Sequence, residues 1–197
     1  INPVDWKTRA GSGVSGRYGN AFPLIIGWDI SGVVEAVEEN VNKFRIGDAV
    51  FGMVRFPDIG SAYAQYVAAP QAHLALKPKN IDHTQAAAFP LASLTAWEAL
   101  FETGNLIKDE RVLVQGAAGG VGHLAVQLAK WKGAHVIGTG STNNVDFLRE
   151  LGVDEVVDYS KTRFEDVVAP VDMVLSCVGG ELLTRSFAVI KEGGRLV

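Results

Sequence analysis

A glycine-rich stretch near the middle of the chain constrains the fold more than any other sequence feature. The apolar residues 112–114 lead into small residues that include Gly119, Gly120 and Gly122. The following residues, 121–131, place their apolar side chains on one helical face. Gly119 permits a tight turn, Gly120 lets the backbone approach a pyrophosphate, and Gly122 lets a helix pack on the strand. The order strand, turn and helix therefore predicts a dinucleotide-binding loop.

Helix amides near Val121, together with the positive end of the helix dipole, would face the phosphates of such a ligand. The first glycine of the usual G-x-G-x-x-G pattern is replaced by Ala117. An ordinary turn between a strand and a helix is the alternative interpretation.

Alternating strand and helix signals around this loop predict an α/β domain over residues 91–197. Predicted strands cover residues 111–115, 135–138, 155–157, 171–176 and 195 onward, with helices at 121–131, 144–151 and 181–190. Strands that are separated by one helix pair in parallel through right-handed crossovers. We therefore predict a doubly wound parallel sheet.

Residues 1–90 have a different character, with many glycines between short apolar runs, which is typical of short strands joined by turns. Predicted strands cover residues 30–37, 49–54, 62–68 and 73–76. A helical stretch at 85–101 is interrupted at Pro90.

The charge balance excludes some classes of partner. The 197 residues include 18 Lys and Arg against 22 Asp and Glu, a net charge of -4, so no basic field would hold a nucleic acid or an anionic membrane. No apolar run approaches the roughly 18 residues that a membrane-spanning helix needs. Cys177 is the only cysteine and forms no internal disulfide, which favours a reducing compartment such as the cytoplasm.

Polar residues at the end of the second predicted strand bear on the choice of cofactor. The strand ends around Thr139, Ser141 and Thr142, where an NAD site would carry an acidic residue for the ribose 2′-hydroxyl. No acidic residue occurs between 112 and 145, so we predict NADPH. The partners we expect for its 2′-phosphate are the hydroxyls of Ser141 and Thr142, with charge from Lys161 or Arg163. A simple polar turn is the alternative.

Several blocks along the whole chain resemble one enzyme family. The blocks cover residues 2–7, 27–34, 44–50, 94–97, 116–122 and 172–180. In this order they resemble the zinc-independent quinone oxidoreductases of the medium-chain dehydrogenase/reductase superfamily. The resemblance implies a mainly β GroES-like substrate domain over residues 1–90 and a Rossmann domain over 91–197, both incomplete at the chain ends. It also implies reduction of quinones or α,β-unsaturated carbonyl compounds by NADPH.

The resemblance suggests roles for three separate residues. Lys7 matches a position beside the nicotinamide, where a cation would anchor the ribose or support an oxyanion; a solvated surface lysine is the alternative. Thr95 matches a nicotinamide contact, or else is a hydroxyl at a helix start. Tyr159 matches a residue near the adenosine phosphates, or else caps its strand. Asn143 stands where many relatives carry Arg or Lys, which removes one expected support for NADPH.

The loop after the fourth predicted strand is expected to pass over the cofactor cleft with Cys177, Val178 and Gly179. We interpret Cys177 as a small buried hydrophobic residue and not as a nucleophile. Tyr63 either faces the substrate or packs in the interior. The four histidines show no metal or triad spacing and are interpreted as structural or exposed: His73, His83, His123 and His135.

The resemblance also addresses zinc, because alcohol dehydrogenases of the same superfamily carry a His-Glu pair where Trp28 and Asp29 stand here. We predict a metal-free site, in which a conjugated acceptor takes the hydride. The alternative function is a nucleotide-binding scaffold or sensor with little catalytic activity. A homodimer is left open.

Overall fold

The computed structural model describes residues 1–19 and 22–197, which divide into two compact units. The first unit comprises Ile1–Leu91 and the second comprises Ala92–Val197. One sheet has three strands and the other has five.

The first unit contains an antiparallel sheet and two short helices. Its elements are α1 (Pro3–Arg9), β1 (Asp29–Val33), β2 (Ala49–Met53), β3 (Leu74–Leu76) and α2 (His83–Ala88). The strand order is β1-β2-β3, with Ile30 opposite Gly52 and Val50 opposite Leu76.

Both helices of the first unit start at capping boxes, in which side chains satisfy the amides of the first turn. The backbone amide of Asn2 donates to Asp5 Oδ2 at 2.7 Å. Pro3 fits the first turn of α1 because the N–H that proline lacks is not needed there. In α2 the backbone amide of Gln85 donates to Asp82 Oδ1 at 2.7 Å.

Two strand predictions in this unit are wrong. The strand expected at 30–37 ends at Val33, because Gly47, with φ 92°, turns the partner chain away after its amide donates to the Val34 carbonyl. Residues 62–68 form no strand. The amides of Ala62 and Tyr63 donate to the carbonyls of residues 27 and 26, and the pairing stops after these two bonds.

The second unit contains the parallel sheet, which confirms the predicted α/β architecture. Its strands are β4 (Arg111–Gln115), β5 (His135–Gly140), β6 (Glu155–Asp158), β7 (Val171–Ser176) and β8 (Ile190–Leu196), in the order β6-β5-β4-β7-β8. All four strand pairs are parallel.

Helices of three types accompany this sheet. The α-helices are α3 (Pro90–Trp97), α4 (Gly122–Lys132), α5 (Val145–Glu150) and α6 (Glu181–Ser186). Helix α3 starts at the predicted interruption and continues into a π-helical segment, Glu98–Thr103. Short 3-10 turns lie at Thr142–Asn144 and Phe164–Asp166.

The predicted boundary between the last helix and the last strand is wrong. Helix α6 ends at Ser186 instead of residue 190, and β8 begins at Ile190 instead of Arg195. The pairing of β7 with β8 shifts register, so that Val171 faces Ile190 while Met173 already faces Arg195. A bulge that contains Gly193, with φ 75°, absorbs the extra residues. Gly193 and Gly194 therefore lie inside β8, at positions where the sequence pattern predicts no strand.

Alternating side chains of the central strand fill two separate cores. Val112 and Val114 pack into one cluster with Leu124 and Ala125 of α4, whereas Leu113 packs into the other with residues of the opposite face. This alternation follows from the two-residue repeat of a strand that is buried on both faces. Strand β4 is thus anchored from both sides, and its C-terminal end is held in place.

A glycine in β2 tests the packing of the first unit. A Cβ on Gly52 would lie 2.1 Å from the His73 carbonyl oxygen, whereas a Cβ on Gly32 of β1 would meet nothing within 4 Å. Gly52→Ala should therefore lower the free energy of unfolding by about 2–4 kcal/mol, measured by urea denaturation. Gly32→Ala is the matched control and should change it by less than about 1 kcal/mol. Equal effects of the two changes would contradict this packing.

Candidate functional site

A cavity of about 410 Å³ opens in the second unit where several strands end. Its wall includes residues that follow or end β4, β5, β6 and β7, among them Gly116, Thr139, Tyr159 and Val178. The strand order places β4 between β5 and β7, and the crossovers run to opposite sides of it. Open α/β sheets bind ligands at the carboxyl ends of the strands, at such a switch point. This cavity is the candidate cofactor site.

The three glycines of the loop differ in their surroundings. A Cβ on Gly122 would lie 2.2 Å from the Gly116 carbonyl oxygen, so α4 reaches β4 only because residue 122 has no side chain. The Gly119 amide donates to the Gly116 carbonyl at 2.9 Å and closes the turn. A Cβ on Gly120 would meet no atom within 4 Å, which leaves room for a ligand. Val121 is the N-cap of α4.

The replacement of the first motif glycine by Ala117 has a local explanation. Ala117 is fully buried, and a Cβ on Gly138 of β5 would lie only 3.1 Å from the Ala117 Cβ. A glycine on the neighbouring strand therefore leaves room for the alanine methyl group. The loop keeps its shape although the motif departs from the usual pattern.

Thr139 fastens the loop to β5 through two hydrogen bonds. The Gly116 amide donates to Thr139 Oγ1 at 3.1 Å, and the Ala117 amide donates to the Thr139 carbonyl at 3.0 Å. Thr139 is only 6% exposed and also lines the cavity. The cofactor contact expected of Thr139 stays a prediction, and the structure shows that Thr139 holds the loop against β5.

A polar network that the sequence pattern does not predict ties β4 to the end of β7 and to α6. Ser176 Oγ donates to Gln115 Oε1 at 2.8 Å, and Gln115 Nε2 donates to Ser186 Oγ at 2.9 Å. Ser186 Oγ in turn donates to the Leu182 carbonyl at 2.7 Å. Buried polar groups need such partners, and this chain of bonds supplies them. A polar residue at the end of an otherwise apolar strand was the available signal.

Two of the residues expected to bind the 2′-phosphate, Thr142 and Lys161, contact a carboxylate instead. Thr142 Oγ1 donates to Asp158 Oδ2 at 2.6 Å, and Lys161 Nζ lies 3.3 Å from the same oxygen. The Thr142 hydrogen bond is the main cause of a lowered pKa of Asp158. Ser141 Oγ accepts instead from Asn144 Nδ2 at 3.3 Å. The sequence prediction rests on residues 112–145 and does not include Asp158, although Asp158 ends the neighbouring strand β6.

A second carboxylate joins two arginines of the cavity wall. Glu165 Oε1 lies 2.6 Å from Arg163 Nη2, and Glu165 Oε2 lies 2.7 Å from Arg185 Nη2. The Arg185 guanidinium also lies over the Phe164 ring, 5.3 Å from its centroid. The hydrogen bond from Arg185 is the main cause that lowers the pKa of Glu165 to about 2. The charge of Arg163, expected to serve the cofactor, is thus paired within the protein.

The loop after β7 carries three predicted cofactor residues. The expectation that Cys177 is buried is wrong: the residue is exposed, because the loop leaves the sheet after Ser176. Desolvation by nearby protein atoms still raises the pKa of its thiol, which disfavours a nucleophile. Val178 and Tyr159 line the cavity, and Gly179 has open space around its Cα.

The remaining predicted residues lie on helices outside this cavity. Lys7 is exposed on α1, with its ammonium group 5.6 Å from the centroid of the Trp6 ring. Thr95 lies on α3. Their contacts with a nicotinamide stay predictions.

Tyr63 is 48% exposed and hydrogen-bonds to a buried carboxylate, so it does not lie in the interior of the first unit, and a contact with the substrate stays a prediction. Its hydroxyl donates to Asp5 Oδ2 at 3.0 Å, and burial together with this carboxylate raises its pKa to about 12. A Cβ on Gly27 would lie 2.3 Å from the Tyr63 ring, so the glycine makes room for it.

The positions that carry zinc ligands in alcohol dehydrogenases have other partners here. Trp28 is buried and its Nε1 donates to the Asp58 carbonyl at 2.7 Å. Asp29 accepts from Asn2 Nδ2 at 2.7 Å and from the Leu91 amide at 3.0 Å, while burial raises its pKa. In the part of the chain that the structure describes, no three His, Cys, Asp or Glu side chains converge as a metal site. A metal-free site stays a prediction.

Each histidine has a partner within the protein. His83 Nδ1 lies 2.8 Å from Ser31 Oγ, and His73 Nδ1 accepts from the Arg55 amide at 2.9 Å. His123 Nδ1 lies 2.8 Å from the Gly119 carbonyl, and His135 Nε2 lies 2.6 Å from Glu155 Oε1. These contacts give all four histidines structural roles.

Two family models match separate parts of the chain. One, described as alcohol dehydrogenase GroES-like domain, matches residues 1–79. The other, described as zinc-binding dehydrogenase, matches residues 120–197.

Curated relatives and solved structures align with the whole chain. It is 38% identical to the 2-methylene-furan-3-one reductase of Solanum lycopersicum, with 100% of this chain and 51% of the relative covered. It is also 38% identical to the chloroplastic NADPH-dependent alkenal/one oxidoreductase of Arabidopsis thaliana, covering 100% and 52%. The quinone oxidoreductase of Coxiella burnetii matches with a TM-score of 0.91 and 41% identity, covering 100% and 62%. The chain thus spans about half the length of these curated relatives.

Two glycines of the loop give a prediction about protein stability, because a side chain at residue 122 would clash with the backbone and one at residue 120 would not. Gly122→Ala should lower the free energy of unfolding by about 2–4 kcal/mol, because its Cβ would overlap the Gly116 carbonyl. Gly120→Ala is the matched control and should change it by less than about 1 kcal/mol, since its Cβ meets open space. Urea denaturation measures both, and a harmless Gly122→Ala would rule out the close approach of α4.

Glu165 gives a pH prediction. Its pKa is lowered in the folded protein from 4.5 to about 2, so the stability that it contributes is present above pH 4.5 and is lost as the pH falls towards 2. Glu165→Gln should therefore flatten the loss of unfolding free energy over this window. Urea denaturation at several pH values between 2 and 6 checks it, with Glu192→Gln, an exposed residue on β8, as the control. Parallel curves for wild type and Glu165→Gln would contradict the prediction.

Proposed function

The chain belongs to the medium-chain dehydrogenase/reductase superfamily as a quinone oxidoreductase-like member, and from this premise we propose an NADPH-dependent reductase of quinones or α,β-unsaturated carbonyl compounds. The observation that carries the proposal is the cavity at the switch point of the parallel sheet, whose wall includes Gly116, Thr139 and Tyr159. The names of the Arabidopsis and Coxiella relatives, an NADPH-dependent alkenal/one oxidoreductase and a quinone oxidoreductase, support this substrate class.

The residues of the second unit are compatible with NADPH. We propose that the backbone at Gly119, Gly120 and Val121 holds the pyrophosphate, because anions bind well at the N-terminus of a helix that follows a glycine turn. Gly122 contributes by bringing α4 close to β4. The other proposed contacts are Thr139, Ser141, Thr142 and Tyr159 for the adenosine half, and Cys177, Val178 and Gly179 for the nicotinamide half.

The proposed chemistry needs orientation more than reactive side chains. When bound, NADPH supplies a hydride to the electrophilic carbon of a conjugated acceptor. The loop and the polar network from Gln115 to Ser186 hold the cavity wall in one arrangement and so fix the geometry of approach. Lys7 and Thr95 are proposed beside the nicotinamide, with Lys7 supporting the oxyanion of the acceptor. We assign no general acid; water delivers the final proton.

The site is proposed to work without a metal ion. Trp28 has no group that binds zinc, and Asp29 is engaged by Asn2 and Leu91.

Location and assembly complete the proposal. None of the helices in residues 1–19 and 22–197 combines the length and apolar character that crossing a membrane requires. We propose the cytoplasm on the basis of the single cysteine, although the Arabidopsis relative is named as chloroplastic. A homodimer without nucleic-acid partners stays a prediction.

Cofactor binding is the first test. NADPH fluorescence titration of the whole chain should show saturation, and Gly120→Asp should weaken binding more than tenfold because it sets charge and bulk against the pyrophosphate. Gly16→Asp, on an exposed glycine of the first unit whose Cβ would meet nothing within 4 Å, controls for the added charge. Equal affinities in wild type and Gly120→Asp would overturn the loop assignment.

Turnover then separates the reductase from the scaffold. With NADPH bound, a benzoquinone or a butenone should accelerate its oxidation, followed by absorbance at the nicotinamide band. Saturable binding without oxidation by any acceptor would favour a nucleotide-binding scaffold or sensor.

A further inference from the structure

The Asp158 carboxylate already contacts two residues that are expected to bind the cofactor's 2′-phosphate, Thr142 and Lys161. The side chain is 12% exposed, and its Oδ2 atom accepts a hydrogen bond from Thr142 and lies 3.3 Å from the Lys161 ammonium. Its other oxygen, Oδ1, accepts from the Ser160 amide at 3.0 Å. Three groups of this corner of the second unit therefore converge on one carboxylate.

The sheet register puts this carboxylate where a Rossmann fold recognises the ribose. Asp158 lies opposite Gly140, the last residue of β5, and the Tyr159 amide donates to the Gly140 carbonyl at 3.1 Å. The end of the second strand is where an acidic residue binds the 2′-hydroxyl of NAD or a basic group accommodates the 2′-phosphate of NADP. Here the acidic residue comes from the adjacent strand, so an inspection of β5 alone does not find it.

We propose that Asp158 sets the cofactor selectivity of this chain, by competing with the 2′-phosphate of NADPH for Thr142 and Lys161 and by accepting the 2′-hydroxyl of NADH. The inference rests on the proposed function, because it concerns the same cofactor. It goes beyond that function by assigning the balance between the two cofactors to one residue.

The electrostatics of the corner support the competition. The hydrogen bonds and the lysine lower the pKa of Asp158, so the carboxylate is charged at neutral pH. A phosphate that approaches Thr142 meets this negative charge unless Lys161 moves to the phosphate. Lys161 is 67% exposed and pairs only through its ammonium group with Asp158, whereas Asp158 is 12% exposed and held by three partners. Arg163, the other expected cation, is held by Glu165.

The test compares the affinities of two cofactors that differ only in the 2′-phosphate. Dissociation constants for NADPH and NADH are measured by nicotinamide fluorescence on the whole chain, and the ratio of NADH to NADPH constants is the readout. Asp158→Asn should raise this ratio about fivefold, since the single charge that it removes is already partly balanced by Lys161. Lys161→Met should lower it, and Glu192→Gln on the opposite edge strand should leave it unchanged.

The outcomes separate this inference from the proposed function. An unchanged ratio in Asp158→Asn, with the wild type binding at least one cofactor, overturns the selectivity role and leaves the reductase proposal intact. A wild type that binds neither cofactor overturns the proposed function and this inference with it. Circular dichroism verifies folding, and Asp158→Ser repeats the charge removal if Asp158→Asn does not fold. A ratio of NADH to NADPH dissociation constants that rises in Asp158→Asn or Asp158→Ser supports the inference.

Discussion

The contact between the backbone of residue 122 and the carbonyl of Gly116 governs the arrangement of the second unit. Because a Cβ at residue 122 would lie 2.2 Å from that oxygen, the first turn of α4 can start directly against the end of β4. The positive end of the α4 dipole therefore lies close to the end of β4. The cavity, the loop and the proposed pyrophosphate site all depend on this missing side chain.

Polar side chains hold the loop between β4 and α4 in the position that its glycines allow. Thr139 holds the loop from one neighbouring strand, and the bonds from Ser176 through Gln115 hold it from the other. Both sets are buried or nearly so, where an unpaired polar group is costly. A charged pair, Glu165 with Arg185, holds another side chain of the cavity wall.

Local patterns predicted most of the parallel sheet, because strand alternation and the spacing of Gly119 to Gly122 act within a few residues. The errors occur where distant partners decide. Residues 62–68 have strand composition but pair over only two bonds, and a bulge at Gly193 hides the start of β8. Asp158 became visible only through its register with Gly140. Sequence spacing alone carries no information about such neighbours.

The direction of the hydrogen bonds from Ser176 through Gln115 and Ser186 to the Leu182 carbonyl has an energetic consequence. Each group donates to the next, so an apolar replacement of Gln115 leaves the buried Ser186 hydroxyl without its donor, and an apolar replacement of Ser186 leaves Gln115 Nε2 without its acceptor. Because the two residues share one bond, the losses of unfolding free energy from the two single replacements do not add when the replacements are combined.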